Sequence, residues 1–318
     1  MTTHTLRRIG GRPIPDTPGE IRACMVVRNE QLRLASALDH HRKLGVGRFL
    51  VVDNGSDDGT LEFLEAQTDV HLFSTTDSFA ESDHGLSWIN TIFDQYADGY
   101  WVLTVDADEL FIYPRYEQIP LPRFCGFLDS MGARAVFSLM LDMYSDRPLD
   151  RTVHDPGSSL METCAYFDRG PYRSGRLTAF PYTWIRGGVR DRLFRQLDGG
   201  RTTSPVVSKV PLVKWAAGAR YLVSTHEMTD MPMSDLTAGL LHFKFLNDFH
   251  ERARIEVARA EHYHGALEYQ AYLDILRSSG PLNLMAVESV RFEDSAQLVA
   301  MGLMRTSSAY ERFATALA

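Results

Sequence analysis

Over its first 110 residues the chain switches repeatedly between two hydrophobic periods, and that alternation limits the folds open to it. Ile21-Arg-Ala-Cys-Met-Val-Val27 is a short apolar run suited to a buried strand. From about Glu30 to Leu44, the residues Leu34, Leu38 and His41 recur at helical spacing, with Asn29 as the expected N-cap and Gly45 and Gly47 as the stop. Strands are expected at Arg48–Asp53, Val70–Phe73 and Tyr100–Val105, with helices from Thr60 and around Leu86–Ala97 between them. Strand and helix in alternation, joined by short loops, predict a mainly parallel sheet covered on both faces. Ligands of such sheets sit beyond the carboxyl ends of the strands. Here those exits are polar or acidic: Asn29–Glu30, Asp53–Thr60, the segment around Asp83, and Asp106–Glu109.

The rest of the chain is less regular. Residues 115–240 are rich in Pro, Gly, Arg and Tyr, with short strands such as Ala135–Met140. From Asn247 to about Arg277 helix returns, with one apolar stripe of Phe249, Ala253, Val257 and Ala260 and another of Tyr269, Tyr272 and Leu276. Short helices are expected after Ser289.

Bulk properties exclude several classes of function. The 318 residues carry a formal charge of −8, which offers no basic stripe for a nucleic acid. An acidic protein that handles an anionic ligand must recruit its cations locally. Cys24, Cys125 and Cys164 are far apart and form no CxxC pair, so reduced core thiols in a cytoplasmic protein are expected. The polar, proline-bearing N-terminus lacks the core of a signal peptide. No apolar run reaches the roughly 18 residues of a transmembrane segment, which leaves only peripheral membrane contact open.

Val105-Asp-Ala-Asp-Glu-Leu110 is the sharpest chemical signal. In an extended chain, residues two apart face one side, so Asp106 and Asp108 are expected to present their carboxylates together. Two such carboxylates call for a cation, and Mn²⁺ or Mg²⁺ with diphosphate oxygens would complete the shell. Turn and capping duties are the competing explanation. In Val51-Val-Asp-Asn-Gly-Ser-Asp-Asp-Gly-Thr60, Asp53 ends a strand where it can accept hydrogen bonds from a base or ribose, while Asp57 to Thr60 suit a turn and helix cap. Asp83 is either a cap for the third helix or a donor contact. His40-His41 and the scattered Trp88, Trp101, Trp184 and Trp215 read first as core or surface residues.

Cys24-Met-Val-Val-Arg-Asn-Glu30, the Val51–Thr60 block and Val105–Leu110, in this order and spacing, resemble the glycosyltransferase family 2-like proteins of GT-A fold. Looser similarity to a bacterial subgroup continues through Gly187-Gly-Val-Arg-Asp-Arg-Leu-Phe194, Ser208-Lys-Val-Pro-Leu-Val-Lys-Trp215 and Leu240-Leu-His-Phe-Lys-Phe245. The resemblance implies an α/β fold: a GT-A-like mainly parallel sheet flanked by helices, with a helical C-terminal region. It divides the chain into an N-terminal extension (1–19), a nucleotide-sugar-binding half (20–130), an acceptor-binding and metal-completing half (131–246), and a helical end (247–318). It implies a nucleotide-sugar donor, usually a UDP-sugar, a divalent metal, and a glycan or lipid-linked acceptor. Glu30 and Asp53 then fall at base and ribose contacts and Asp106 and Asp108 at the metal. His242 is a candidate third ligand, and Lys244 and Arg190 are candidates for the diphosphate.

An inverting transfer also needs a base for the acceptor hydroxyl. The family's Gln-x-x-Arg-Trp block is absent, so the base is not carried over; Asp191, Asp142 and Glu227 are the candidates, Asp191 first. Two other functions fit parts of the pattern. A nucleotidyltransferase acting on a sugar phosphate uses a related sheet, but usually has a Gly-rich phosphate loop where this chain has Val27-Arg-Asn-Glu30. A non-catalytic glycan-binding protein on a transferase scaffold would not need the intact Asp106-Ala-Asp108.

Overall fold

The computed structural model describes residues 6–176, 183–197, 203–222, 224–279 and 281–317. The alternating segment folds as β1 (Arg7–Arg8), β2 (Ile21–Val27), α1 (Gln31–Leu44), β3 (Val46–Asp53), α2 (Thr60–Glu65), β4 (Val70–Ser74), α3 (Leu86–Tyr96) and β5 (Trp101–Thr104). Then come β6 (Glu109–Ile112), α4 (Leu121–Ser130), β7 (Ala135–Asp142), α5 (Leu160–Thr163), β8 (Tyr166–Asp168), β9 (Tyr172–Arg176), β10 (Thr183–Gly187) and α6 (Gly188–Phe194). β11 (Ser208–Lys214), β12 (Met233–His242), α7 (Phe249–Arg259), α8 (Tyr263–Ser279), β13 (Ser289–Arg291), α9 (Ser295–Ala300) and α10 (Ser308–Leu317) complete the order.

Nine of these strands form one sheet, ordered β1-β4-β3-β2-β5-β11-β7-β12-β6. The β4-β3-β2-β5 block is parallel throughout, and β12 lies parallel to β7. Antiparallel members join at the edges, β1 on β4 and β6 on β12, and in the centre, where β11 runs against both β5 and β7. The architecture is α/β, a large sheet flanked by helices, and the same sheet runs on through both halves of the expected 20–130/131–246 division.

Strand alternation explains the two layers. Ala23, Met25 and Val27 of β2, with Phe49 and Val51 of β3, face a core completed by Leu34 and Leu38 of α1 and Phe124 and Leu128 of α4. Cys24, Leu50 and Val52 point the other way, onto Trp88, Ile89, Ile92 and Phe93 of α3. Each fully buried Leu or Phe in these layers contributes roughly 1.5–3 kcal/mol of transfer free energy. All three cysteines are buried and free, as read from their spacing. A third, smaller cluster joins Val189, Leu193 and Phe194 of α6 to Phe249 and Tyr272 of the α7–α8 pair.

Two local expectations are corrected. Asn29 does not cap α1: it sits at φ 55, and its amide exchanges hydrogen bonds with Asp57 at 2.7 and 2.9 Å. Asn tolerates the left-handed region, and here that turn ties the exit of β2 to the exit of β3. The expected helix from Asn247 to Arg277 is two helices, because Ala260 takes φ 52 and ends α7. Among the described residues no helix is long and apolar enough to cross a membrane.

Candidate functional site

After β5 the chain does not pair with its neighbour. It crosses the ends of β11, β7 and β12 and re-enters the sheet as β6 on the far edge. The crossing is Asp106–Glu109, and it is a turn: Glu109 N–H donates to the Asp106 carbonyl at 3.0 Å. The extended pairing expected of Asp106 and Asp108 is therefore corrected, since the turn sends the two carboxylates to different partners. Asp106 is 59% exposed at its side chain and meets Lys209 Nζ at 2.8 Å. Asp108 is buried and lies 3.4 Å from His242 Nε2. α1 holds the crossing from behind: His40 Nε2 bonds the Phe111 carbonyl at 2.7 Å, and Phe111 N–H reaches His41 Nε2 at 3.3 Å. The adjacent histidines of α1 thus anchor β6, in keeping with their reading as core residues.

Each strand under the crossing hands up one side chain. β11 supplies Lys209, whose ammonium also bonds the fully buried Glu109 at 2.6 Å. β7 supplies Asp142 and β12 supplies His242, joined Oδ1 to Nδ1 at 2.6 Å. Arg190, at the start of α6, clamps Asp142 through Nε at 3.1 Å and an Nη at 2.7 Å. Burial works against the charge on His242, yet Asp108 and Asp142 on either side lift its pKa above the ordinary value. Burial likewise opposes ionisation of Asp108, but the facing His242 wins and holds it well below the usual carboxylate range. Asp142 is held down too, Arg190 and His242 outweighing its burial. The two flanking carboxylates thus favour the charged form of His242.

A second layer closes over these groups from the C-terminal helices. Glu30, at the start of α1, is buried and bonded by Arg252 of α7 at 2.7 and 3.1 Å. Burial raises the Glu30 carboxyl against the pull of Arg252 and Arg33. Arg33 grips Asp248 with two bonds of 2.7 Å and donates to the Phe243 carbonyl at 3.1 Å. Lys244 Nζ bonds Glu268 of α8 at 2.9 Å and lies over the Tyr269 and Tyr272 rings. Lys244 and Arg190 bring Glu268 down to about 2 against its burial.

The remaining sequence candidates fall around this cluster or away from it. Asp53 is buried at the exit of β3; one carboxylate oxygen accepts from Gly55 and Ser56 N–H at 3.1 and 3.3 Å, while Oδ1 is buried without a hydrogen-bond partner. Beside it is a cavity of about 220 Å³ lined by Arg28, Asn54, Thr76 to Phe79, Arg259 and Glu261. That is below the roughly 300–1,000 Å³ of a complete small-molecule site, and matches a fragment such as a base. Asp83 is exposed at φ 54 on the loop before α3, outside the cluster. Asp191 is bound into its own network with Arg173 at 2.8 Å, Ser204 at 2.8 Å and Arg195 at 2.5 Å. Glu227 carries no ion pair among the described residues and follows His226, whose ring accompanies the Ser208 carbonyl and is pushed down to about 4 by burial and by Lys209. A larger cavity of about 440 Å³ lies far along the edge, between Arg115 and α9–α10, where Arg115 and Glu311 are already paired. The charged groups that converge are not there.

Sequence reading missed Lys209, Glu109, Arg252, Arg33 and Glu268. Lys209 stood inside the quoted Ser208–Trp215 block, but only the antiparallel insertion of β11 brings its ammonium to the carboxyl end of the parallel strands. Among the described residues no group of three or more His, Cys, Asp or Glu side chains forms a metal cage.

No protein-family model matches the chain, and no curated protein does. Among solved structures it is similar to a 4-diphosphocytidyl-2C-methyl-D-erythritol synthase, at 13% identity and TM-score 0.29, over 39% of this chain and 62% of that one. A UTP-bound UGPase from Acinetobacter baumannii is similar at 9% identity and TM-score 0.30, over 81% and 83%. A mannose-1-phosphate geranyltransferase from Thermus thermophilus is similar at 12% identity and TM-score 0.26, over 53% and 48%. The chain thus spans less than two thirds of the length of the first of these.

Proposed function

We propose that the protein is a divalent-metal-dependent glycosyltransferase that moves a sugar from a nucleoside diphosphate donor, a UDP-sugar, to a hydroxyl of a glycan or lipid-linked acceptor. The observation that carries this reading is the Asp108–His242–Asp142 line at the strand exits, 3.4 and 2.6 Å long. A carboxylate on Nδ1 is the arrangement that orients a metal-binding imidazole and leaves Nε2 for the ion. Asp108 and His242 Nε2 face each other as carboxylate and imidazole donors, which fits Mn²⁺ or Mg²⁺, with Asp106 exposed beside them. Such an ion would supply charge to a diphosphate, whose oxygens would complete its shell.

The chain's own residues would do the rest. Asp53, with its unpartnered Oδ1, and the neighbouring cavity would receive base and ribose. Lys244 would face the leaving diphosphate, provided it releases Glu268. In the transfer the acceptor oxygen bonds the anomeric carbon as the bond from that carbon to diphosphate breaks. The electron pair leaves with the diphosphate, and the hydroxyl proton passes to a carboxylate. Asp142 and Asp191 have both oxygens engaged, which favours Glu227 among the three candidate bases on this reading. Arg190 would serve through Asp142, which it clamps, rather than at the diphosphate.

Thermal unfolding with UDP, GDP, CDP and ADP, each with and without Mn²⁺, tests the reading. One nucleotide should raise the midpoint in a metal-dependent way, the added stability being about 2.7 kcal/mol at 100 times its Kd, and Asp108→Asn should abolish the shift. A shift that survives Asp108→Asn removes the metal assignment. Pyrophosphate release from UTP and a sugar phosphate would replace glycosyl by nucleotidyl transfer.

A further inference from the structure

We infer that Lys209 is a built-in counter-ion for Asp106, and that it sets how weakly the Asp106–Asp108 turn takes a divalent cation before a nucleotide arrives. The inference rests on the metal-dependent reading above and adds to it the regulation of that same turn. Lys209 is 6% exposed, yet its ammonium lies within 2.6 Å of Glu109 and 2.8 Å of Asp106. An isolated ammonium in that position would be costly, and the two carboxylates it touches offset that cost. Glu109 is fully buried and cannot leave; Asp106 is 59% exposed and can. The two bonds therefore differ in kind: Lys209–Glu109 is the fixed floor, and Lys209–Asp106 is the contact that an arriving cation must break.

The charges around the turn say which way the competition runs. Four carboxylates, Asp106, Asp108, Glu109 and Asp142, already meet Lys209, His242 and Arg190. A divalent ion alone would crowd its positive charge against Lys209, whereas one that arrives with a diphosphate brings the anion that the freed ammonium can face. Lys209 thereby couples cation binding to nucleotide binding, a role that neither Asp106 nor Asp108 can fill.

Calorimetric titration of Mn²⁺ alone into the full chain tests this. Lys209→Met should bind Mn²⁺ at least tenfold more tightly than the parent protein. Because that change strands the buried Glu109, the pair Lys209→Met with Glu109→Gln is measured beside it; it keeps the parent's net charge while still freeing Asp106, and it should show the same gain. Adding Asp106→Asn to the pair should return the affinity to the parent level. A folded double variant, by its far-ultraviolet circular dichroism, whose Mn²⁺ affinity stays within twofold of the parent overturns the inference. If the parent still shows its metal-dependent nucleotide shift in that case, only the role of Lys209 fails; if no nucleotide or Mn²⁺ binds any of these proteins, both readings fail.

Discussion

Asp142 is committed to two neighbours, and on the proposed reading it acts one step back from the metal. Its two oxygens hold Arg190 and His242, and through His242 they decide which ring nitrogen faces Asp108. Removing such a supporting carboxylate typically costs 10–100-fold in metal affinity. Asp142→Asn should therefore weaken Mn²⁺-dependent UDP binding by that factor and leave metal-free UDP binding close to the parent, both read by calorimetry. A purely structural role would weaken the two alike. Asp53 shows the opposite situation, a buried oxygen whose partner the protein itself does not provide.

At the scale of elements, the exits of β2, β3 and β5 are legible because parallel strands leave their signature locally: an apolar run, a turn, then a helix. Asp53, Asp106 and Asp108 are located at strand exits that way. Lys209, Arg252 and Arg33 are not, because their meaning lies in pairings more than 100 residues away, such as Lys209 with Asp106 at a separation of 103 and Arg252 with Glu30 at 222. Nothing within a short window of sequence distinguishes them from solvated surface cations. Gly187 is an element-scale constraint that the packing explains. It joins β10 to α6, and a Cβ there would lie 2.5 Å from the Pro171 carbonyl and 2.8 Å from Tyr172 Cα, both backbone atoms. Gly187→Ala should therefore displace α6 and cost roughly 1–3 kcal/mol, measured by chemical unfolding. Since α6 carries Arg190, the same change should also loosen the Asp142 clamp.

For the whole molecule, acid is the vulnerable direction. His40 is pushed down to about 4 and His41 well below its ordinary 6.5, burial being the main cause of each. An unfolded chain takes up those protons first, so this part of the stability is present above about pH 6.5 and is lost as pH falls towards 4. Glu268, at about 2 in the folded state against 4.5, adds a loss between those values. Glu30 and Glu109, raised by burial above the ordinary 4.5, run the other way: they add stability as pH falls towards 4.5 and so offset part of the first stage. His40→Gln should remove on the order of 3 kcal/mol of the first stage, seen as a flatter dependence of the urea midpoint between pH 6.5 and 4. The sequence separation of 222 between Glu30 and Arg252 also has a consequence in time. During synthesis on the ribosome, the parallel strands can close long before Arg252 and Glu268 emerge, and domains generally fold from the N-terminal side first. Until then Glu30 lacks its Arg252 partner and Lys244 its Glu268, while Lys209 and Arg190 already neutralise the edge beneath, so a half-made chain carries a folded, charge-balanced floor whose helical cover is the last part to arrive.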